Sequence, residues 1–305
     1  MKHIRTLLFL LVFASGMQAQ QLTIGTYNIR NDNGYDDKNG NNWSKRSAFV
    51  IGLIAFNDFD ILGTQELLHN QVQDLLKGLP QYSYVGVGRD DGKQAGEYAA
   101  LFYKKDKFEL LKSGTFWLSP NENYSNKGWD ASYVRVCSWA QLKDKVSHKK
   151  IWCFNLHMDN DGVEARKNSA RLILDKIKKW CGDEPVILTG DFNIDQTNES
   201  YQLLATSGIL ADSYQKAPVR YIPNGTFNDF NPSQVSNSRI DHIFLSRHFI
   251  AERYGVLTDS YWTYLSDNAN YDLLHDTRAP FEEKGTMRLP SDHYPIKIIV
   301  HFTGK

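Results

Sequence analysis

The run VILTGDFNID, residues 186–195, constrains this chain most: a β-branched and apolar stretch stops at Gly190 and leads directly into Asp191, Phe192 and Asn193. An apolar run this short, rich in β-branched residues, reads as a buried strand rather than a helix. It therefore carries a carboxylate and an amide at its tip. The construction recurs along the chain. LTIGTYNIR closes on Asn28, DILGTQE on Glu66, and KIWCFNLHMDN on His157 and Asp159. SRIDHIFLS starts with Asp241, and SDHYPIKIIVHF starts with Asp292 and His293. Residues two apart share a face of a strand, so Asp191 and Asn193 are expected to project together, as are His157 and Asp159. Asp292 and His293 are adjacent and would diverge in a regular strand, which puts them where the backbone turns at the start of the last one.

Helices are expected singly between these strands. Ser44 is positioned to cap a helix running to about Asn57, with Ala48, Ile51, Ile54 and Ala55 on one face. A second carries Val72, Leu75, Leu76 and Leu79 and is stopped by Gly78 and Pro80. The third, 163–181, groups Ala170, Ile173, Ile177 and Trp180, and its basic face with Arg171, Lys176, Lys178 and Lys179 reads as solvated surface. YSYVGVGR and GEYAALFYKK form a strand pair around the loop DDGKQAG, and SYVRVCSWAQLK pairs with KIWCFNLHMDN. Strands outnumber helices, which predicts an α/β protein of two packed sheets with helices outside. The polar segment 258–290 is long for a loop, and such loops are functional or mobile. Its Tyr261, Trp262 and Tyr264 suit contact with lipid, stacking on a base or sugar, or anchoring of the loop, the last being favoured.

Lys2 and Arg5 precede LLFLLVFASG, with a small residue at Ala19. This pattern predicts a secretory signal peptide over 1–19, too short to remain as a membrane span, and a periplasmic or secreted single domain over 20–305. The chain has 35 basic and 35 acidic residues, and losing Lys2 and Arg5 leaves 33 against 35. That balance excludes a tight nonspecific duplex-DNA binder, which needs many phosphate-neutralising cations. Cys137, Cys153 and Cys181 are too few for a disulfide framework. They suit core packing or at most one bridge.

Any one strand tip is ordinary: Gly-Asp after a strand is usually a turn, and Glu after an apolar run often opens a helix. The whole ordered set is not. TYNIR, GTQE, GEYAALFY, NLHMDN, GDFN, RIDHIFLS and SDHYPI, running from the first strand to about residue 296, resemble the endonuclease/exonuclease/phosphatase superfamily. TFWLSP, KGWDA and NGTFNDF are similar to a secreted bacterial branch near the nocturnin-like deadenylases. The resemblance implies a four-layered, deoxyribonuclease I-like α/β sandwich of two mixed sheets, and hydrolysis of a phosphate ester with Mg²⁺ or Mn²⁺. Hard divalent cations suit such oxygen ligands.

The resemblance further implies Glu66 as the principal metal carboxylate, with Asn28 and Asp292 completing the shell. Asp191 would orient or deprotonate the attacking water, and Asn193 would hold the phosphate or that water. Asp241 would fix the tautomer of His293, which acts as base or as cationic clamp. A Glu97–His157 dyad would serve as acid. Arg135 would contact phosphate, although by pattern it is equally a surface strand arginine. Arg30 departs from the apurinic endonucleases, which carry an acidic residue there, and weakens a second-metal or abasic-site reading. The expected partner is a phosphate-ester substrate, from nucleotide or nucleic acid to sugar phosphate or lipid head group, with no specific protein partner. Two other readings stand beside this one: a sphingomyelinase-like hydrolase, and a catalytically silent metal- or phosphate-binding protein on the same fold.

Overall fold

The computed structural model describes residues 21–221, 224–264 and 285–303. The expected signal peptide over 1–19 and residues 265–284 of the long polar segment lie outside the described residues. One sheet has seven strands in the order β10 (Val219–Tyr221), β12 (Phe249–Val256), β15 (Ile296–Phe302), β1 (Gln21–Asn28), β2 (Ile61–Leu67), β4 (Tyr98–Lys104) and β3 (Tyr82–Val85). The other has six: β5 (Phe108–Trp117), β6 (Val136–Asp144), β7 (Lys150–His157), β8 (Val186–Asp191), β11 (Asp241–Ser246) and β9 (Leu210–Asp212). Both are mixed: β1 runs parallel to β2 and antiparallel to β15, and β8 runs parallel to β7 and antiparallel to β11. A short ribbon, β13 (Tyr261–Tyr264) with β14 (Gly285–Arg288), stands apart.

Alternation along the strands separates three cores. Ile24, Ile61, Leu101, Cys153, Ile187 and Ile243 pack between the sheets. Their neighbours in sequence face outward: Leu62 and Phe102 meet α2 (Trp43–Asn57), which follows the short α1 (Gly34–Lys38), and α3 (His69–Gly78), while Phe154, Leu188 and Phe244 meet α4 (Val163–Cys181) and α5 (Glu199–Ala205). The result is the expected four layers, helix, sheet, sheet, helix. Near the strand tips the inter-sheet space turns polar. Gln65 donates to Thr26 Oγ1 at 3.1 Å and Asn155 Oδ1 at 2.7 Å, and Thr189 donates to Asn155 Oδ1 at 3.0 Å. Gly63 faces this layer, and a Cβ there would fall on Thr189 Oγ1 and Asn155 Oδ1. A side chain at that position would force the sheets apart.

Two helical expectations are corrected. Helix α2 starts at Trp43 after Asn42, not behind Ser44, and buries Trp43, Arg46, Val50, Leu53 and Ile54, leaving Ala48 and Ala55 exposed. The reason is Arg46. Its buried guanidinium donates to the carbonyls of Ile29, Arg30, Asn41 and Pro290, at 2.6–3.1 Å. A buried charge is tolerable only when satisfied in this way, and satisfying it rotates the helix. The three cysteines are free and buried, as core packing requires. Tyr261 is buried and stacks on Phe49 with ring centroids 3.7 Å apart, which supports the anchoring reading, while Trp262 is exposed. No helix among the described residues is long and apolar enough to cross a membrane.

Candidate active site

Strand register builds the site. His157 of β7 and Asp241 of β11 both pair with Asp191 of β8, so the three form one row across adjacent strands. Each lies two residues beyond an inward core or polar-layer residue, on the inter-sheet face. From the other sheet Asn28 closes the gap: its Nδ2 donates to Asp191 Oδ2 and to Glu66 Oε1, both at 3.0 Å. Regular alternation would turn Glu66 away from Gln65. A β-bulge between Thr64 and Leu67 and a positive φ of 67° at Glu66 bring its carboxylate into the cleft instead.

Asp292 and His293 arrive from the loop before β15, which begins only at Ile296. Asn228 and Asp229 N–H donate to the Asp292 carbonyl at 2.7 and 3.2 Å, and His293 bridges to Phe227. The buried imidazole places Nδ1 2.9 Å from Asp241 Oδ2 and Nε2 3.8 Å from Asp191 Oδ2. Burial opposes its charge, but Asp241 and Asp191 prevail and hold it well above the usual histidine range. Burial, reinforced by Asp241, pushes Asp191 up to about 7. Burial likewise raises Asp292 to about 6, with Glu66 adding to the effect.

His157 behaves differently. Burial, then the charges of Arg135 and Arg89, drive it well below the usual range, so it is neutral. Its Nε2 lies 3.1 Å from Asn193 Nδ2, which also donates to the Met158 carbonyl at 3.0 Å. Nε2 is thus the acceptor and Nδ1 carries the proton. Nδ1 is 3.9 Å from Glu97, beyond hydrogen-bond distance. Glu97 instead pairs with Arg89 and accepts from Asn31 Nδ2 at 3.0 Å. The structure brings the expected dyad together but not as a hydrogen-bonded acid. Asn193 leaves the strand at φ 51°, which an asparagine tolerates, and its N–H donates to Asp191 Oδ1 at 2.9 Å.

Arg135 is not a surface arginine. It is buried, 3.4 Å from Asp159 Oδ2, and donates to Asn160 Oδ1 at 2.9 Å while lining the cleft. Asp159, expected beside His157 as a site group, faces away from the chemistry. It accepts from the N–H groups of Ser132, Tyr133, Asp161 and Gly162 and organises the loop. Residues that the strand-tip pattern leaves out also line the cleft of about 550 Å³: Asn31, Arg89, Tyr133, Asn160 and Phe227. All come from loops, where no periodicity marks a side chain's direction.

The donor set fits a hard divalent cation. Glu66 and Asp292 are neighbouring carboxylates whose repulsion a cation would relieve, and Glu66, His157 and Asp191 have ligand atoms within 4.8 Å of one another. Asn28 presents N–H to these carboxylates, and its Oδ1 accepts from Arg30 N–H at 3.0 Å.

A family model described as the Endonuclease/Exonuclease/phosphatase family matches residues 25–293. An endonuclease/exonuclease/phosphatase family protein of Bacteroides thetaiotaomicron is 44% identical, with TM-score 0.87, covering 94% of this chain and 100% of that one. A mannosyl-6-phosphatase of the same organism is also 44% identical, with TM-score 0.84, covering 92% and 100%. Nocturnin of Xenopus laevis is 26% identical over 83% of this chain, which spans 62% of that relative.

Proposed function

The chain belongs to the endonuclease/exonuclease/phosphatase family of phosphoesterase hydrolases, and on that premise we propose that it is an exported, divalent-metal-dependent enzyme that hydrolyses a sugar phosphate monoester. The observation that carries the reading is the row His157–Asp191–Asp241, with His293 Nδ1 2.9 Å from Asp241 and the Glu66 and Asp292 carboxylates lining the same cleft. The similarity to a mannosyl-6-phosphatase supports the sugar monoester. Lys2, Arg5 and the apolar run after them support export.

Glu66 and Asp292 would hold the Mg²⁺ or Mn²⁺ ion. When bound, the ion supplies Lewis-acid polarisation of a phosphoryl oxygen. Asp191, near 7, is poised to take a proton from the attacking water, since a base works best near the ambient pH. Asn28 and the Asn193 N–H fix its two oxygens. His293, with Nδ1 engaged by Asp241, directs Nε2–H at a phosphoryl oxygen as a cationic donor. His157 is neutral and aligns Asn193. Arg89, Tyr133, Arg135 and Asn160 form the wall proposed to receive the alcohol.

The similarity to a 3'-5'-exoribonuclease subunit of Mycosarcoma maydis, 22% identical over 82% of this chain, which spans 45% of that relative, favours RNA as the second reading. A silent binding protein is disfavoured because Asn28, Glu66, Asp191, Asp241, Asp292 and His293 are all present and line one cleft or lie directly behind it. A sphingomyelinase-like reading has less support, since Tyr261 is packed on Phe49. Phosphate release from a panel of hexose 6-phosphates, nucleoside monophosphates, short RNA and sphingomyelin, with Mn²⁺ or with chelator, separates these readings. Metal-dependent turnover of the hexose phosphates is expected. Turnover of RNA or lipid alone would replace the substrate assignment.

A further inference from the structure

We propose that Arg30 selects phosphate monoesters over diesters by fixing a positive charge where a terminal phosphate carries its second negative one. The proposal rests on the phosphoesterase reading above. Arg30 sits two residues past Asn28 at φ 61°, the left-handed region that a non-glycine residue enters only under constraint. The constraint is visible. Its carbonyl accepts from Gln71 Nε2 at 2.9 Å and Arg46 Nη2 at 3.1 Å, and its N–H donates to Asn28 Oδ1. The guanidinium is fixed as well: Nε donates to Asp36 Oδ2 at 2.9 Å and Nη2 to Asp36 Oδ1 at 3.3 Å, and Nη1 lies 3.4 Å from Asp292 Oδ2.

An arginine has five N–H donors. Two donate to Asp36 and Nη1 is in ion-pair range of Asp292, which leaves donor capacity on a side chain that is 28% exposed in the wall of the cleft shared with Asp191 and His293. The other cleft arginines, Arg89 and Arg135, have their own carboxylates in Glu97 and Asp159. Arg30 differs because its cleft-side partner, Asp292, is also a proposed metal ligand. A diester carries one negative charge and a monoester about −1.5 to −2 near neutral pH. A rigid charged donor at this position is therefore worth more to the monoester, in a cleft where charge-assisted hydrogen bonds are strong. The same charge should weaken divalent-cation binding, because Arg30 already neutralises Asp292.

The test uses the full mature chain and its Arg30→Gln and Arg30→Lys variants. Hydrolysis of para-nitrophenyl phosphate and bis(para-nitrophenyl) phosphate is measured with Mn²⁺, and Mn²⁺ affinity by the paramagnetic resonance signal of the free ion. Arg30→Gln should lower kcat/KM for the monoester about 100-fold and for the diester less than about tenfold, while Mn²⁺ binds about tenfold more tightly. Arg30→Lys, which keeps the charge and guards against a misfolded Gln variant, should restore wild-type Mn²⁺ affinity and most monoester turnover. Equal losses on both esters, or an unmoved Mn²⁺ affinity, would overturn the proposal while leaving the enzyme reading intact. A wild-type chain inactive on both esters would remove both.

Discussion

Asn28 Nδ2 and Asp191 Oδ2 meet at 3.0 Å across the two sheets, joining residues 163 positions apart. This contact defines the site as a rim of the inter-sheet space: one sheet supplies the donor, the other the carboxylate. Removing a buried donor leaves its acceptor unsatisfied, at a cost of about 1–3 kcal/mol. Asn28→Ala should therefore lower kcat about 10- to 100-fold and lower the thermal midpoint by about 2–4 °C per kcal/mol lost. Steady-state hydrolysis beside thermal unfolding checks this, and wild-type kcat would show that Asp191 needs no partner.

Asp241 should act chiefly through His293, whose Nδ1 it engages at 2.9 Å. Asp241→Asn removes the largest charge that keeps the imidazole protonated, so the His293 pKa should fall, while Asp191 and Asp292 continue to raise it. Turnover should drop about 10²- to 10⁴-fold. Titration of the His293 ring protons by NMR reads the first effect independently of activity. An unmoved titration would assign the charge to Asp191 and Asp292.

Asp159 gives a pH signature of stability. Its carboxylate accepts four backbone N–H groups and lies near about 2, against 3.8 ordinarily. The folded value is depressed, so the stabilisation is complete above 3.8 and disappears as pH falls towards 2. Asp159→Asn should be less stable by about 2 kcal/mol at neutral pH. The gap from wild type should close across that acid window in urea unfolding. A constant gap would contradict the assignment.

Gly63 should be intolerant of any side chain. A Cβ there meets Thr189 and Asn155 of the opposite sheet, and overpacking of this kind costs about 1–3 kcal/mol. Gly63→Ala should shift the urea midpoint accordingly. An unchanged midpoint would mean that the sheets yield freely at the polar layer.

The strand tips were legible in the sequence because side-chain alternation carries Ile187, Thr189 and Asp191, and likewise Ile151, Cys153, Asn155 and His157, onto a single face. Where alternation breaks, legibility ends. Strand β12 escapes the pattern because a register shift at Ala251/Arg253 interrupts it, and β5 because it is an edge strand with a similar irregularity at Leu110/Lys112. Arg46 is fully buried in α2, and apolar spacing cannot mark a charged residue as buried. Arg89, Tyr133 and Phe227 reach the cleft from loops, whose direction only tertiary packing sets. The separation of His157, neutral, from His293, charged, depends on which residues surround each imidazole, and spacing along the chain does not encode that.

The central claim is that Asp191 is the base of a metal-dependent hydrolase. Its most direct test is phosphate release from a hexose 6-phosphate by wild type and Asp191→Asn, each with Mn²⁺ and with chelator, alongside circular dichroism. The account predicts metal-dependent turnover by wild type and a loss of at least about 100-fold in the variant, with identical spectra. A folded Asp191→Asn protein that turns over at the wild-type rate would contradict it.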